Sequence, residues 1–249
     1  MKRLSFLLIA LLQLNIYAAK SYYPDNILNF RNGDLKSELF EVISRDHNVL
    51  EYSSARKIMF QKIYLEKDQA GYYVQDVYCE TKFDQSSGVG PNQMPNDSIV
   101  NVEHTWPQSK FTGAFPKNTQ KSDLHHLFPT DSKANGTRGN FPFGEVVEDM
   151  GKLKENCHES KIGSIQNKGG VYFEPPHAHK GNVARALFYF SIRYQVSIDE
   201  IQEKTLRLWD KEDPIDQNEM SQNDLIHKFQ NNRNPFVDFP NLADRIDNF

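Results

Sequence analysis

Between Ile99 and Arg138 the chain carries strand, loop, strand and helix signals in that order, with its chemically active side chains at the junctions. Ile99 to Thr105 reads as a short strand that delivers His104 near its end. Pro107, Gly113 and Pro116 mark residues 107–122 as loop. Leu124 to Phe128 reads as a second strand. Pro129-Thr130-Asp131-Ser132 then offers capping side chains for a brief helix bearing Asn135.

The flanking sequence reads as helices packed around this small unit. Upstream, Asp34 is a plausible N-cap ahead of Leu35, Leu39, Val42, Ile43 and Leu50 at helical spacing. A second helix is expected over Ser54 to Tyr64, a strand over Tyr72 to Cys79, and a breaker-rich loop over 84–98. Downstream, Lys152 to Lys168 reads as a polar surface excursion. Asn182 can cap a helix with Val183, Ala186, Leu187, Phe190 and Tyr194 on one face. Ser197 with Glu200 matches a capping box for the next helix, and another spans Asn218 to Gln230. No repeat and no linker divides the sequence. The expectation is an α+β fold, a mostly helical single domain.

The first residues stand apart. Lys2 and Arg3 precede an apolar run from Leu4 to Leu14, and Tyr17-Ala18-Ala19 offers small residues for cleavage. That is the layout of a secretory signal peptide over 1–19, with the functional domain over 20–249 and a periplasmic or secreted destination. The run is short for a membrane span, and no later stretch reaches the roughly 20 apolar residues a transmembrane helix needs. Export bears on Cys79 and Cys157. In an oxidising compartment they are most simply one disulfide, with two buried free thiols the alternative. Net charge is −4, or −6 without Lys2 and Arg3. A nucleic-acid enzyme with that balance must gather its positive charge locally.

Glu103, His104 and Asn135 supply a carboxylate, an imidazole and an amide oxygen, the parts needed to hold one hard divalent cation and activate a water. His104 suits a general base, since an unperturbed imidazole is mostly neutral at neutral pH. Neighbours on a regular strand face opposite ways, so Glu103 and His104 can share a site only if the strand bends or ends there. Taken alone, a Glu-His pair is ordinary on a surface, and Asn135-Gly136 is a turn signal. Their order and separation carry the weight. His125-His126 reads as one buried and one partly exposed histidine, and His177-Ala178-His179 as exposed in a Pro-rich loop. Trp106, Phe141 and Phe143 read as core.

Three stretches carry a resemblance: Glu103-His104-Thr105-Trp106-Pro107-Gln108-Ser109, then Asp123-Leu124-His125-His126-Leu127-Phe128-Pro129-Thr130-Asp131, then Asn135-Gly136-Thr137-Arg138-Gly139-Asn140-Phe141-Pro142-Phe143-Gly144. Together they resemble the bacterial endonuclease I family, which also includes secreted ribonucleases. The likeness continues through Phe173-Glu174-Pro175-Pro176, Lys180-Gly181-Asn182-Val183-Ala184-Arg185-Ala186 and Asn232-Arg233-Asn234-Pro235-Phe236. The resemblance implies an exported, nonspecific nuclease built on a ββα-metal finger. It implies His104 as general base and Glu103 and Asn135 as ligands of one Mg²⁺, with Mn²⁺ or Ca²⁺ as alternatives. Arg138 would contact phosphate or brace the finger, and Arg233 is a weaker candidate for the same work. The substrate would be DNA, RNA or both, held through phosphate contacts by a monomer and cut to leave a 5′-phosphate.

The chain also departs from better-known members, several of which carry a long cysteine-rich insertion with a product-side arginine between the histidine and the Asp-Leu-His element. Here that interval is short and lacks arginine, leaving Lys110, Lys117 and Lys121. Lys121 is the substrate contact expected from it, although an ammonium does not reproduce a bidentate fork. An alternative reading is a catalytically inactive nucleic-acid-binding protein on the same fold. Intact Glu103, His104 and Asn135 argue against it. A metalloprotease is disfavoured because the chain has no His-Glu-x-x-His.

Overall fold

A computed structural model describes residues 22–153, 156–166 and 168–249. The expected signal segment, 1–19, lies outside the described residues. Helix α1 (Asn32–Arg45) buries Leu35, Leu39, Val42 and Ile43, the stripe expected from the sequence. It starts before Asp34, which therefore sits in the first turn, where its charge favours the helix dipole. Helix α2 (Tyr52–Ile58) continues through a π turn at Met59–Ile63.

An antiparallel meander follows: β1 (Glu66–Asp68), β2 (Gly71–Gln75) and β3 (Lys82–Asp84). The expected strand over 72–79 stops at Gln75, because Asp76 folds the next residues into a turn. Its carboxylate accepts from the backbone N–H of Tyr78 (2.9 Å) and Cys79 (3.0 Å). The same group accepts from Thr130 Oγ1 and the Asp131 N–H, both at 3.0 Å, so this turn is fastened to the central unit.

That unit is β4 (Val100–His104), a connection containing α3 (Lys117–Lys121), β5 (Leu127–Asp131) and α4 (Ser132–Arg138). The strands pair antiparallel, with Glu103 opposite Phe128 and His104 opposite Leu127. The second strand lies three residues later than expected, because Asp123 caps a 3₁₀ turn over Leu124–His126. Asp131 is the α4 N-cap, accepting from the N–H of Lys133 and Ala134. Gly139 ends the helix at φ 57°, ψ −118°, a conformation a side chain would strain.

A second meander, β6 (Val146–Asp149), β7 (Lys161–Ile165) and β8 (Lys168–Glu174), occupies part of the expected surface excursion. The last third is α5 (His177–Tyr194), α6 (Glu200–Glu212), α7 (Gln217–Gln230) and α8 (Pro235–Asp238). Helix α5 begins five residues before Asn182, and nearly every residue from His179 to Tyr194 is buried rather than one face alone. Two of its cations, Lys180 and Arg185, are buried and matched by carboxylates. Lys180 pairs with Glu145 (2.7 Å) and Glu174 (2.8 Å), and Arg185 with Asp210 (2.9 Å) and Glu219 (2.6 Å). His179 is buried at the helix start while His177 is exposed, which corrects the reading of both as loop residues in solvent.

Two apolar cores grip the central unit. Val100 and Val102 enter one with Phe60, Val74, Leu127 and Ile226. Trp106, just past β4, enters the larger one around α5, where it stacks on Phe190 with ring centroids 4.9 Å apart. Cys79 and Cys157 form a disulfide that joins the Asp76 turn to the segment before β7. Loop closure over 78 residues contributes on the order of 4 kcal/mol by constraining the unfolded chain.

Candidate active site

Strand β4 ends at His104, and this satisfies the geometric condition for a shared site. Glu103 and His104 line one open cleft of about 470 Å³ with Tyr52, Gln108, Asn135, Arg138 and Asn140. Beyond Thr105, whose N–H donates to His126 O (3.0 Å), the chain turns away through Trp106 and Pro107.

His104 is 7% exposed, and its tautomer follows from its neighbour. Nε2 lies 3.1 Å from Lys121 O. A carbonyl oxygen only accepts, so Nε2 carries the proton and Nδ1 keeps its lone pair. Gln108, a cleft residue, stands 3.4 Å from Nδ1. Tyr52, Phe111 and His126 surround the ring with centroids 5.7, 6.3 and 5.5 Å away. Burial, followed by the repulsion His126 would exert, lowers the imidazole pKa to about 3. The ring is therefore neutral throughout the physiological range.

Glu103 is 1% exposed. Tyr78 donates its hydroxyl to Oε1 at 2.8 Å, and Arg138 Nη1 stands 3.3 Å from the same oxygen. Burial raises the carboxyl pKa, and Arg138 and Tyr78 offset that only in part. This is a carboxylate short of positive charge. Asn135 supplies the second oxygen. Its Nδ2 donates to Val102 O at 3.0 Å, so the amide nitrogen is anchored to β4 and Oδ1 remains the group for the cleft. Among the described residues no group of three or more His, Cys, Asp or Glu is placed to hold a metal ion. One oxygen from a charge-deficient carboxylate and one from an amide fit a cation that keeps most of its water, as Mg²⁺ does, and not a caged zinc.

Arg138 is 2% exposed, and its guanidinium is turned to the protein. Nη2 donates to Thr105 O (2.7 Å), Nη1 to Gly139 O (3.2 Å), and the group lies over the Phe143 ring. Of the two roles expected for it, these contacts are those of a brace between α4 and the end of β4. Arg233 is not a cleft residue. It is buried, with Asp238 accepting from Nε and Nη2 (2.8 and 2.7 Å) and Asp224 pairing with Nη1 (2.8 Å). Its role as a phosphate ligand is corrected accordingly: two carboxylates already occupy the fork. Lys121 stands at the cleft edge, its Nζ 4.1 Å from the centroid of Tyr52.

His125 and His126 are both buried, which corrects the expectation of one exposed ring. Nε2 of His126 donates to Gln120 O (2.8 Å) and His125 Nε2 faces Asn232 O (3.3 Å). Burial lowers each to about 4. Sequence reasoning missed Tyr52, Tyr78 and Gln108 as site residues. An aspartate inside an aromatic run, Asp76, was the available signal that the chain turns there and brings Tyr78 inward.

Comparison with known proteins identifies the family. A family model described as Endonuclease I matches residues 32–241. The extracellular ribonuclease of Bacillus subtilis (strain 168) is 30% identical, the alignment covering 92% of this chain and 80% of that protein. The extracellular ribonuclease of Bacillus amyloliquefaciens is 31% identical over 85% of this chain and 73% of its own length. An extracellular deoxyribonuclease of Aeromonas hydrophila is 31% identical over about half of each chain, 49% and 50%.

Proposed function

The chain belongs to the endonuclease I family, and on that premise we propose that it is an exported, metal-dependent endonuclease cutting RNA, DNA or both to leave a 5′-phosphate. The observation that carries the reading is the pairing of a neutral, tautomer-fixed His104 with the charge-deficient Glu103 in one open cleft. Glu103 and Asn135 would hold one divalent ion, most simply Mg²⁺, which when bound supplies charge for the transition state and for the departing oxygen.

The chain's own residues do the rest. Nδ1 of His104 takes a proton from the attacking water, while Nε2–H on Lys121 O keeps the ring aimed. Asn135 is held by Val102 O, and Arg138 fixes the last carbonyls of the strand that bears both Glu103 and His104. Relatives named extracellular ribonuclease and extracellular deoxyribonuclease support a destination outside the cytoplasm. Among the described residues no helix is long and apolar enough to cross a membrane.

The test is cleavage of a structured RNA and of supercoiled plasmid by purified protein lacking residues 1–19. It is run with Mg²⁺, with chelator, and beside His104→Ala. Metal-dependent loss of either substrate, absent in the variant, is expected and also reads out the sugar preference. Well-folded protein that cuts neither at any Mg²⁺ concentration would leave the inactive binding protein as the better reading.

A further inference from the structure

We infer that Tyr52 is a positioning residue that holds the Lys121 ammonium at the His104 side of the cleft, where it meets a substrate phosphate. The inference rests on the nuclease reading and adds to it the cation that the short interval between His104 and Asp123 otherwise lacks.

The cleft needs mobile positive charge. The guanidinium of Arg138 is committed to Glu103 and to backbone oxygens. Lys110 lines a separate pocket of about 170 Å³, beyond Arg138. Arg56 is paired with Asp97. Lys121 differs from all three. Its carbonyl is the acceptor that orients His104, and its ammonium lies over the ring of a cleft residue, with no carboxylate partner among the described residues.

Two separate chain segments are joined there. Tyr52 opens α2 and Lys121 closes α3, and Asn118 Nδ2 donates to Leu50 O at 3.2 Å, which ties α3 to the residues leading into α2. A free lysine spreads over many rotamers, whereas an aromatic face attracts and confines its ammonium. The attraction is weak enough to surrender the charge to a phosphate, whose negative charge is the stronger partner. The π face does this work. The Tyr52 hydroxyl has no hydrogen-bond partner among the described residues and is not needed for it.

The experiment measures binding of a short single-stranded oligoribonucleotide in chelator, where no cleavage occurs, against salt concentration. Loss of one phosphate contact lowers the slope of log affinity against log salt by about 0.7 for a single strand. Lys121→Ala and Tyr52→Leu should each lose about that much, and the double variant no more than either alone. Tyr52→Phe should keep the wild-type slope, and Lys117→Ala, on the same helix, should not couple to Tyr52. Thermal melts check that each variant is folded. A Tyr52→Leu slope equal to wild type, or a double variant that loses twice as much, overturns the positioning role. A protein that shows the coupled slope but never cleaves would instead sink the nuclease reading and leave this one standing.

Discussion

Glu103 and Asp123 are both buried carboxylates, each beside a histidine, yet their surroundings are built to opposite ends. Asp123 is saturated. Tyr189 and Tyr194 donate to Oδ2 at 2.9 and 2.8 Å, and Gln230 and the His125 N–H donate to Oδ1 at 2.7 and 3.1 Å. Burial would raise its pKa, but His47, His125, His126 and the Tyr194 hydroxyl together hold it well below the usual carboxylate range. Glu103 has Tyr78 and a 3.3 Å contact with Arg138, and its pKa is raised. A carboxylate with every lone pair matched pins a fold. One left short of partners, at the wall of an open cleft, is prepared to receive a cation from outside.

The contrast breaks most readily at the cleft. His104→Ala should lower kcat by about 10²–10⁴-fold, the usual loss for a positioned general base, with little change in melting temperature. Glu103→Gln should lose comparable activity while stability holds or rises, because it removes a buried charge that the protein alone does not balance. Asp123→Asn should do the reverse. Its amide nitrogen would face hydroxyl and amide donors, and destabilisation of roughly 3 kcal/mol is expected in urea melts, with activity per folded molecule largely kept. If Glu103→Gln destabilises as much as Asp123→Asn, the distinction between the two carboxylates fails.

The sequence told these two carboxylates apart only partly. Glu103, His104 and Asn135 were legible because a strand end and a helix start set their positions locally, and those signals lie within a few residues. What saturates Asp123 was not legible. Its partners come from α5 and α7, far along the chain, and no local pattern announces that Tyr189 or Gln230 will meet it. The same limit hid Tyr78 and Tyr52, and it placed Arg233 wrongly. Whether an arginine is free depends on carboxylates such as Asp224 and Asp238 finding it in space. Periodicity predicts one buried face for helix α5, since it cannot reveal a helix that other elements surround.

The pH profile sharpens the comparison. The proposed general base must be unprotonated, and His104, lowered to about 3, stays so as pH falls to about 4. Glu103 is raised, so protonation reaches it first on the acid side and would remove the carboxylate proposed to hold the metal. Activity should therefore fall with decreasing pH through the Glu103 titration. A bound divalent cation opposes that protonation, so a tenfold rise in Mg²⁺ should move the acid midpoint down by up to about one pH unit. An acid limb that ignores Mg²⁺ would assign it to another group.

The smallest effect expected is at Tyr78, beside Glu103. Its hydroxyl is the one neutral donor to Glu103 among the described residues, and its ring packs against Phe173 with centroids 4.6 Å apart. Tyr78→Phe keeps the ring and removes the donor. Glu103 would then be shorter still of partners and freer to rotate, and loss of one such neutral donor is expected to cost about tenfold in metal affinity, the lower end of the usual range. The Mg²⁺ midpoint for activity should rise by that factor, while the maximal rate at saturating Mg²⁺ changes little. The disulfide should keep the backbone of this turn in place in the variant, so far-ultraviolet circular dichroism should match wild type. An unchanged Mg²⁺ midpoint would mean that Arg138 alone orients Glu103, and that Tyr78 serves the core by its ring.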